Sequence, residues 1–442
     1  MFEHRAYMLD ISRDRVPTME TLKLIVDILA RYRYNQLQLY TEHTFQYEGH
    51  EDVWEDSSPM TPREIAKLQT YCQVQGIELV PNQNSFGHME RWLVHPKYNS
   101  LAKFPQGGAI TPWGAVKKFP TTLDPSNPGS IALVEDLFQQ LLPNFESELF
   151  NIGCDETFEI SDPEEYFSFL MKVVSLARRH GKRPMFWGDI ILKHPEFIER
   201  LPKDLIALDW GYEGDHPFEA EAKRFKEAGL DFYVCPGTSS WRSLGGRVEN
   251  MRMNLESAER AGRLYGAKGY MLTDWGDEGH WQPLAASLPA IVLAGNFAVS
   301  GPKAANMDLE RELDSVMDAP LGGLLLKLGT LYLRGGALRA NCSELFNILI
   351  NKHGYSRHPG LTDSILEEIG AIASGVRISA ERLAERSVWA KEIAYMANLI
   401  DAACHRRDEG RLRALRDEHS RIWRLRSREG GRMDSLAKLP RF

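Results

Sequence analysis

The chain has 442 residues, of which 43% are hydrophobic and 26% are charged, and its net charge is −8 with a pI near 6.0. This acidic balance argues against nucleic acid or an anionic membrane as a partner, because both attract basic surfaces. We find no basic segment followed by an apolar one at the N-terminus, and no run of about 18 apolar residues. The five cysteines are scattered, without zinc-ligand or redox spacing. These features predict a cytoplasmic protein with free thiols.

Strand-like apolar runs alternate with amphipathic helical stretches along the first 275 or so residues. Strands are predicted at 6–11, 36–40, 77–81, 149–154, 184–187, 205–210, 232–235 and 270–273. Helices are predicted between them at 19–32, 62–75, 131–142, 164–180, 218–228 and 248–265. This alternation is typical of parallel strands joined by helical crossovers, and eight strands favour a closed TIM-type (β/α)8 barrel over an open sheet.

From residue 308 onwards only helical periodicity is visible, for example at 378–400. We therefore predict an α/β fold with two parts, a catalytic (β/α)8 barrel at 1–302 and an all-helical C-terminal domain at 303–442. The apolar residues of this domain need a buried face, as seen at 324–326, Trp389, Met396 and Trp423. We expect the domain to pack on the barrel and to help form a homodimer, with a helical cap inside a monomer as the alternative.

Two adjacent carboxylates, Asp155 and Glu156, follow the fourth predicted strand. Active sites of (β/α)8 barrels lie at the carboxyl ends of the strands. Burial and like-charge proximity can separate the pKa values of neighbouring carboxyls, so that one serves as an acid while the other stays ionised. The alternative interpretation is a helix start with acidic residues near its positive end.

A tryptophan follows each of the last four predicted strands, at Trp187, Trp210, Trp241 and Trp275. Indole rings stack on the C–H faces of sugars, while carboxylates and amides at the other strand ends pair with sugar hydroxyls. One such tryptophan can equally fill the core, but four at equivalent positions predict a carbohydrate site.

A metal centre is the competing chemistry, with His43, His88, His180 and His280 as candidate ligands. No two of them share a helix turn or an H-x-H spacing, so we predict neither a metal nor any other cofactor.

Several segments together resemble one known family, the β-N-acetylhexosaminidases of glycoside hydrolase family 20. The resemblance covers about residues 5–300 and is carried by MLDISR at 8–13, YRYNQLQL at 32–39, SFGH at 85–88 and NIGCDE at 151–156. The SFGH segment has Phe where the family has Pro, and NIGCDE contains the family's Gly-x-Asp-Glu signature. We expect a version of the family without the small β-domain that often precedes the barrel.

The resemblance implies a retaining exo-β-N-acetylhexosaminidase that hydrolyses terminal β-linked GlcNAc and/or GalNAc of an oligosaccharide or glycoconjugate. In this family the 2-acetamido oxygen of the substrate attacks C1 in place of an enzyme carboxylate, and the attack gains from being intramolecular. Glu156 would protonate the leaving oxygen and then deprotonate water. Asp155 would hold the acetamido N–H and stabilise the positive charge of the oxazolinium-like intermediate.

The resemblance also implies which side chains hold the sugar. Arg13 and Asp277 would bind the outer hydroxyls, His88 would support the acid/base region, and three tryptophans would line the pocket, namely Trp187, Trp210 and Trp275. The family usually places a Tyr at strand seven to bind the acetamido oxygen. The equivalent position here holds Trp241, and Tyr212 is the other candidate for that contact.

Two alternative functions stay open from the sequence. One is another (β/α)8-barrel glycosidase that uses two carboxylates, which turnover of a substrate without the 2-acetamido group would favour. The other is a catalytically silent sugar-binding barrel, which tight sugar binding without turnover would support.

Overall fold

The computed structural model describes residues 1–13, 15–350, 356–405 and 409–439. Its centre is a sheet of eight parallel strands, β1 His4–Asp10, β2 Gln36–Tyr40, β3 Glu78–Val80, β4 Leu149–Asn151, β5 Arg183–Trp187, β6 Ile206–Trp210, β7 Asp231–Cys235 and β8 Gly269–Asp274. Their hydrogen-bonded order is β3-β2-β1-β8-β7-β6-β5-β4. A parallel bridge between Asn82 and Asn151 joins the two edge strands. The sheet is therefore a nearly closed (β/α)8 barrel, as predicted.

Helices follow the strands in turn and continue to the end of the described chain. They are α1 Met19–Arg31, α2 Glu51–Trp54, α3 Pro62–Val74, α4 Glu90–Leu93, α5 Pro96–Asn99, α6 Pro128–Leu141, α7 Pro163–Arg179, α8 Asp189–Lys193, α9 Phe218–Glu227, α10 Val248–Tyr265, α11 Leu288–Ser300, α12 Leu309–Met317, α13 Gly322–Leu328, α14 Glu344–Ile350, α15 Asp363–Glu381, α16 Val388–Cys404, α17 Glu409–Arg426 and α18 Arg432–Ala437.

Local capping residues set the ends of the barrel helices. The Thr18 hydroxyl accepts from the Thr21 N–H at the start of α1. Thr61 and Glu64 form a reciprocal capping box at the start of α3, which satisfies two backbone donors that the helix leaves unpaired. The apolar faces of these helices pack on the outside of the sheet, while the inward side chains of the strands form a separate buried cluster.

A polar layer crosses the inside of the barrel where it closes. The Gln38 side-chain oxygen accepts from the amide of Asn82 at 3.0 Å and from that of Asn151 at 3.1 Å. Burying amides costs free energy unless they are paired, and here the amide N–H groups of Asn82 and Asn151 share the Gln38 oxygen. The layer therefore supports the β3–β4 closure directly beneath the two candidate carboxylates.

All eight predicted strands and six predicted barrel helices are present, with ends that differ by at most three residues. A three-residue difference occurs at the start of α6 and at the fourth strand, predicted to reach residue 154, which ends at Asn151. Residues 152–154 instead belong to the loop that carries the carboxylates.

The C-terminal region is mostly helical, as predicted, but it includes a hairpin of two short strands, β9 Leu338–Arg339 and β10 Cys342–Ser343. The helical stretch predicted at 378–400 is wrong as one helix, because α15 ends at Glu381 and α16 begins at Val388. The Ser387 side chain accepts from the Ala390 N–H and so starts the new helix. The domain boundary at residue 302 stays a prediction.

The apolar residues that suggested a homodimer are covered by the chain itself. Trp389, Met396 and Trp423 are all buried, and so is Leu325. Leu324 and Leu326 are partly buried against the same core, so most of the apolar area that suggested a second copy is covered within the chain. The homodimer stays a prediction without these residues in its favour.

The sequence has no uninterrupted run of about 18 apolar residues, as expected, but one helical stretch reaches membrane length with a mainly apolar composition. The helical stretch Leu284–Asn306 is long and apolar enough to cross a membrane, although 78% of its most apolar window is buried inside the protein. A second candidate, 309–336, qualifies only if two helices bent by 117° are counted as one span. The core helix of a globular protein meets the same criteria.

We predict that Trp423→Ala destabilises the whole barrel, because Trp423 joins the C-terminal helices to the loop after β1. Its ring is fully buried, and the guanidinium of Arg15 lies 4.9 Å from the ring centre. Removing it should lower the free energy of unfolding by about 3–5 kcal/mol in urea titrations. Trp113→Ala is the matched control, because Trp113 is 64% exposed and its loss should cost under about 0.5 kcal/mol. Equal effects of both changes would show that the helical region is not part of the barrel's folding unit.

Candidate active site

The loop after β4 turns sharply through left-handed backbone conformations. Gly153, Cys154 and Glu156 have φ values of +72°, +72° and +47°. Only glycine fits at position 153, because a Cβ atom there would collide with the side chain of Asn84. The Asn84 oxygen in turn accepts from the Cys154 N–H at 3.2 Å. The turn directs Asp155 and Glu156 towards the barrel mouth.

Asp155 is 5% exposed, and its two oxygens have different partners. Oδ1 accepts from the Asn84 amide at 2.9 Å, and Oδ2 lies 3.3 Å from Nε2 of His88. Burial alone would raise the pKa of Asp155, but the charge and hydrogen bond of His88, with that of Asn84, hold it below the usual value. Asp155 is therefore a fixed carboxylate at neutral pH.

His88 links the two carboxylates, because its Nε2 also lies 3.3 Å from Oε2 of Glu156. Burial lowers the pKa of His88, but Asp155 and then Glu156 raise it well above its ordinary value. The imidazole is therefore protonated at neutral pH. Glu156 has the more open position of the two carboxylates, with 22% of its side chain exposed against 7% for Asp155.

Arg13 lies on the other side of His88, where it pairs with a third carboxyl, that of Glu42. Its Nη2 is 3.2 Å from Nδ1 of His88, and its Nη1 is 2.9 Å from Oε1 of Glu42. Burial raises the pKa of Glu42 to about 7, against the opposing charge of Arg13. The backbone N–H groups of Ser12 and Arg13 donate to Asp10, which fixes the loop after β1.

The aromatic residues at the strand ends pack together, with Trp187 and Trp241 fully buried and Trp210 and Tyr212 partly exposed. The guanidinium of Arg13 lies 5.2 Å from the ring centre of Trp275, whose ring is 5.9 Å from that of Trp187. Tyr212 stacks on Trp210 at 5.2 Å and meets Trp241 edge-on at 5.0 Å. Such an arrangement of faces and edges suits the apolar face of a pyranose ring.

Two hydrogen bonds distinguish the candidates for the acetamido contact. The Trp241 indole N–H donates to the side-chain oxygen of Asn341, in the β9–β10 hairpin, at 2.8 Å. The Trp275 indole N–H donates to the hydroxyl of Tyr212 at 2.7 Å. The indole N–H is the one donor of the Trp241 side chain, whereas the hydroxyl of Tyr212, which also meets Thr273, can both donate and accept.

Two further carboxyls complete the mouth. Burial raises the pKa of Asp277, which the charges of Arg13 and Arg242 oppose. Burial and the charge of Asp155 raise the pKa of Asp189 to about 7. Asp189 also accepts from the backbone N–H of Glu156 at 3.4 Å, so it supports the turn that presents the acid.

The structure brings all ten predicted site residues together at the carboxyl end of the barrel, although the role of each stays a prediction. A model of the catalytic domain of glycosyl hydrolase family 20 matches residues 2–245, more than half of the chain. The chain belongs to glycosyl hydrolase family 20. It is thus a glycoside hydrolase of the β-N-acetylhexosaminidase class, whose members act by substrate-assisted catalysis.

Individual members of family 20 are only distantly similar. Hexosaminidase D of Bos taurus is 24% identical over 58% of this chain and 79% of its own length. Hexosaminidase D of Homo sapiens is 24% identical over 65% of this chain but only 63% of its own length. The crystal structure of Flavobacterium johnsoniae chitobiase has the same fold, with a TM-score of 0.56 and 18% identity over 99% of this chain and 78% of that one.

Several residues of this family 20 site were not assigned a role from the sequence. Asn84, Asp189 and Glu42 all directly follow strands, so the rule that locates barrel sites at strand ends could have found them. Arg242 and Asn341 carry no such signal. Arg242 stands in the long loop after β7, and Asn341 lies 100 residues beyond Trp241 in a hairpin of the helical region.

We predict that Asp189→Asn flattens the pH dependence of stability. In the unfolded chain Asp189 would titrate near pH 4, whereas its folded-state pKa is about 7. Between these values the folded protein keeps a proton that the unfolded chain releases, so stability falls as pH rises from about 4 to 7. The variant should lose this slope, by up to about 1.4 kcal/mol per pH unit in urea titrations.

The matched control for this change is Asp215→Asn, because Asp215 is exposed on a loop of the same mouth. It should keep the slope of the original chain. An Asp189→Asn slope equal to that of the control would contradict the raised pKa.

Proposed function

We propose that the protein is a retaining exo-β-N-acetylhexosaminidase acting on terminal β-linked GlcNAc and/or GalNAc. The observation that carries the proposal is the Asp155–His88–Glu156 arrangement, in which one imidazole nitrogen lies 3.3 Å from both carboxylates. It provides one fixed carboxylate, Asp155, and one more accessible carboxyl, Glu156, both beside the protonated imidazole of His88. These are the two groups that substrate-assisted hydrolysis requires.

Asp155 is suited to holding the acetamido group rather than attacking the sugar. Asn84 and His88 engage its two oxygens and fix the carboxylate in position. From there Asp155 accepts the acetamido N–H, which turns the acetamido oxygen towards C1. Its negative charge then stabilises the positive charge of the oxazolinium-like intermediate, in a buried setting where such stabilisation is strong.

Glu156 is the acid and then the base of the reaction. In the first step its proton goes to the leaving glycosidic oxygen as the C1–O bond breaks and the acetamido oxygen bonds to C1. In the second step Glu156 takes a proton from the water that opens the intermediate, so the anomeric configuration is retained. The proton from water regenerates the acid, and the protonated His88 at 3.3 Å stabilises the Glu156 carboxylate between the two steps.

The remaining site residues hold the terminal sugar. Arg13 and Asp277 bind the outer hydroxyls, and the aromatic surface of Trp187, Trp210 and Trp275 contacts the ring. We assign the acetamido oxygen to the Tyr212 hydroxyl, because the indole N–H of Trp241 is already used by Asn341. Trp241 then supports Tyr212 edge-on rather than meeting the acetamido group.

The names of the relatives support the substrate class, since they are called hexosaminidases and chitobiase. We also propose a cytoplasmic location, which agrees with the free state of all five cysteines. A homodimer is kept as a proposal that light scattering on the full chain would decide.

We predict that Glu156→Gln slows hydrolysis by about 10²–10⁴-fold for aryl or alkyl N-acetylhexosaminides with poor leaving groups. The loss should shrink for a nitrophenyl leaving group, which departs without a proton. Glu164→Gln is the control, because Glu164 is exposed and paired only with Arg200, and it should leave both rates unchanged.

Equal losses on both substrates would remove Glu156 from the acid role. The same assay tests the function itself, because nitrophenyl glycosides of GlcNAc and GalNAc should be cleaved and that of glucose should not. Cleavage of the glucoside would indicate a two-carboxylate glycosidase, and sugar binding without any turnover would indicate a silent barrel.

We predict that Asp155→Asn weakens turnover and the binding of a thiazoline analogue of the cyclic intermediate together. The analogue mimics the species that the site stabilises, so it should inhibit the original enzyme tightly. Isothermal calorimetry on both proteins measures the change. A covalent ester between sugar and enzyme, trapped and seen by mass spectrometry, would contradict the mechanism.

A further inference from the structure

A second cluster of ionisable side chains lies outside the barrel, between β6 and α9. It consists of Asp209 near the end of β6, His216 in the following loop and Glu221 in α9. Their nearest oxygen and nitrogen atoms all lie within 4.8 Å of one another. Nε2 of His216 is 2.8 Å from Oε2 of Glu221. None of the three contacts Asp155 or Glu156, so the cluster is separate from the site above.

Asp209 is completely buried, and no N–H or O–H group of the described chain donates to either of its oxygens. Burial of an unpaired carboxylate is costly enough that proteins pair it, protonate it or place it on a metal. A carboxylate oxygen of Glu221 lies within 4.8 Å of one of Asp209. Two carboxyls in contact therefore require a positive charge between them, either a proton or a cation.

The position of His216 favours a cation over a proton between the two carboxyls. Its imidazole packs directly over Gly211, where a Cβ atom would overlap the ring. Glycine at 211 is thus what admits the imidazole to the two carboxyls. A carboxyl pair that only shares a proton needs no imidazole at its third side, whereas one nitrogen and two oxygen ligands form a common donor set for a divalent transition metal.

We propose that Asp209, His216 and Glu221 bind a divalent transition-metal ion, with Zn²⁺ as the ion that best fits this donor set. Imidazole is a poor ligand for Mg²⁺ or Ca²⁺, which favour all-oxygen sites. Binding replaces the proton between the carboxyls and the one between His216 and Glu221, so those protons are released to solvent and no redox change is involved.

The role of this ion is positional. Trp210 directly follows Asp209, and Tyr212 lies between Gly211 and the loop that carries His216. The ion joins the end of β6 to α9 and so holds the turn that presents Trp210 and Tyr212 at the barrel mouth. Zn²⁺ binding at this cluster, and its effect on stability, do not depend on which sugar the barrel mouth accepts.

The test is a metal-binding measurement on the full chain. Protein stripped with a chelator is dialysed against Zn²⁺, and the bound metal is counted by mass spectrometry and titrated by calorimetry at neutral pH. We expect one Zn²⁺ per chain and a rise in Tm of about 2–5 °C with excess Zn²⁺. Co²⁺ in the same site should give visible absorption bands, which report nitrogen and oxygen ligation directly.

Glu221→Gln and Asp209→Asn should each weaken Zn²⁺ binding by at least about 10–100-fold. Mutating a residue that only contacts a metal ligand already costs that much, and these two changes remove ligands themselves. Glu219→Gln is the matched control on the same helix, with an exposed side chain outside the cluster. It should bind like the original chain. Glu221 is only partly buried, so its variant remains informative if Asp209→Asn fails to fold.

Two results would overturn the proposal. Stripped protein that takes up no Zn²⁺ and keeps the same Tm would show that the carboxyls share only a proton. Uptake by Glu221→Gln and Asp209→Asn equal to that of Glu219→Gln would show adventitious binding elsewhere.

Discussion

Compensation of buried charge at the barrel mouth is the constraint on which the site depends. Asp155, Glu156 and Glu42 bring three carboxyls into one small volume, where isolated charges would be strongly unfavourable. The protonated His88 lies between the first two, and Arg13 lies between His88 and Glu42. The two cations are neighbours at 3.2 Å, and each is balanced by the carboxyls on its far side. Removing either cation leaves those carboxyls without their balancing charge, so the network fixes geometry as well as charge.

The backbone stores strain in the same place. Twelve non-glycine residues in the described chain have left-handed φ values. Eight of them lie in the loops at the carboxyl ends of the strands, and a ninth, Asn341, contacts that mouth. Each such residue costs of order 1–3 kcal/mol and persists only where surrounding contacts hold it. Arg13 and Asp155 hold His88, and Asp189 accepts from the Glu156 N–H, so the strained backbone stays in place at both residues.

Much of this arrangement could be predicted from the sequence, for a physical reason. Strand and helix periodicities are local, so the alternation of apolar runs located all eight strands, and the strand-end rule then located Asp155, Glu156 and the four tryptophans. The break between α15 and α16 was missed because apolar spacing continues across it, although Ser387 marks the new start. The β9–β10 hairpin was missed because strands of two residues have no period to detect.

The least predictable contact is also the one that assigns roles among the aromatic residues. By position in the sequence, Trp241 and Tyr212 are equal candidates for the acetamido oxygen. The structure distinguishes them through Asn341, whose side-chain oxygen accepts from the Trp241 indole N–H, while the Trp275 indole N–H donates to the Tyr212 hydroxyl. Asn341 itself is held by its backbone N–H on Glu213, which also pairs with Arg247. The C-terminal region is therefore more than a cover for apolar helices, because its hairpin engages the indole N–H of Trp241, the contact on which our proposal for Tyr212 rests.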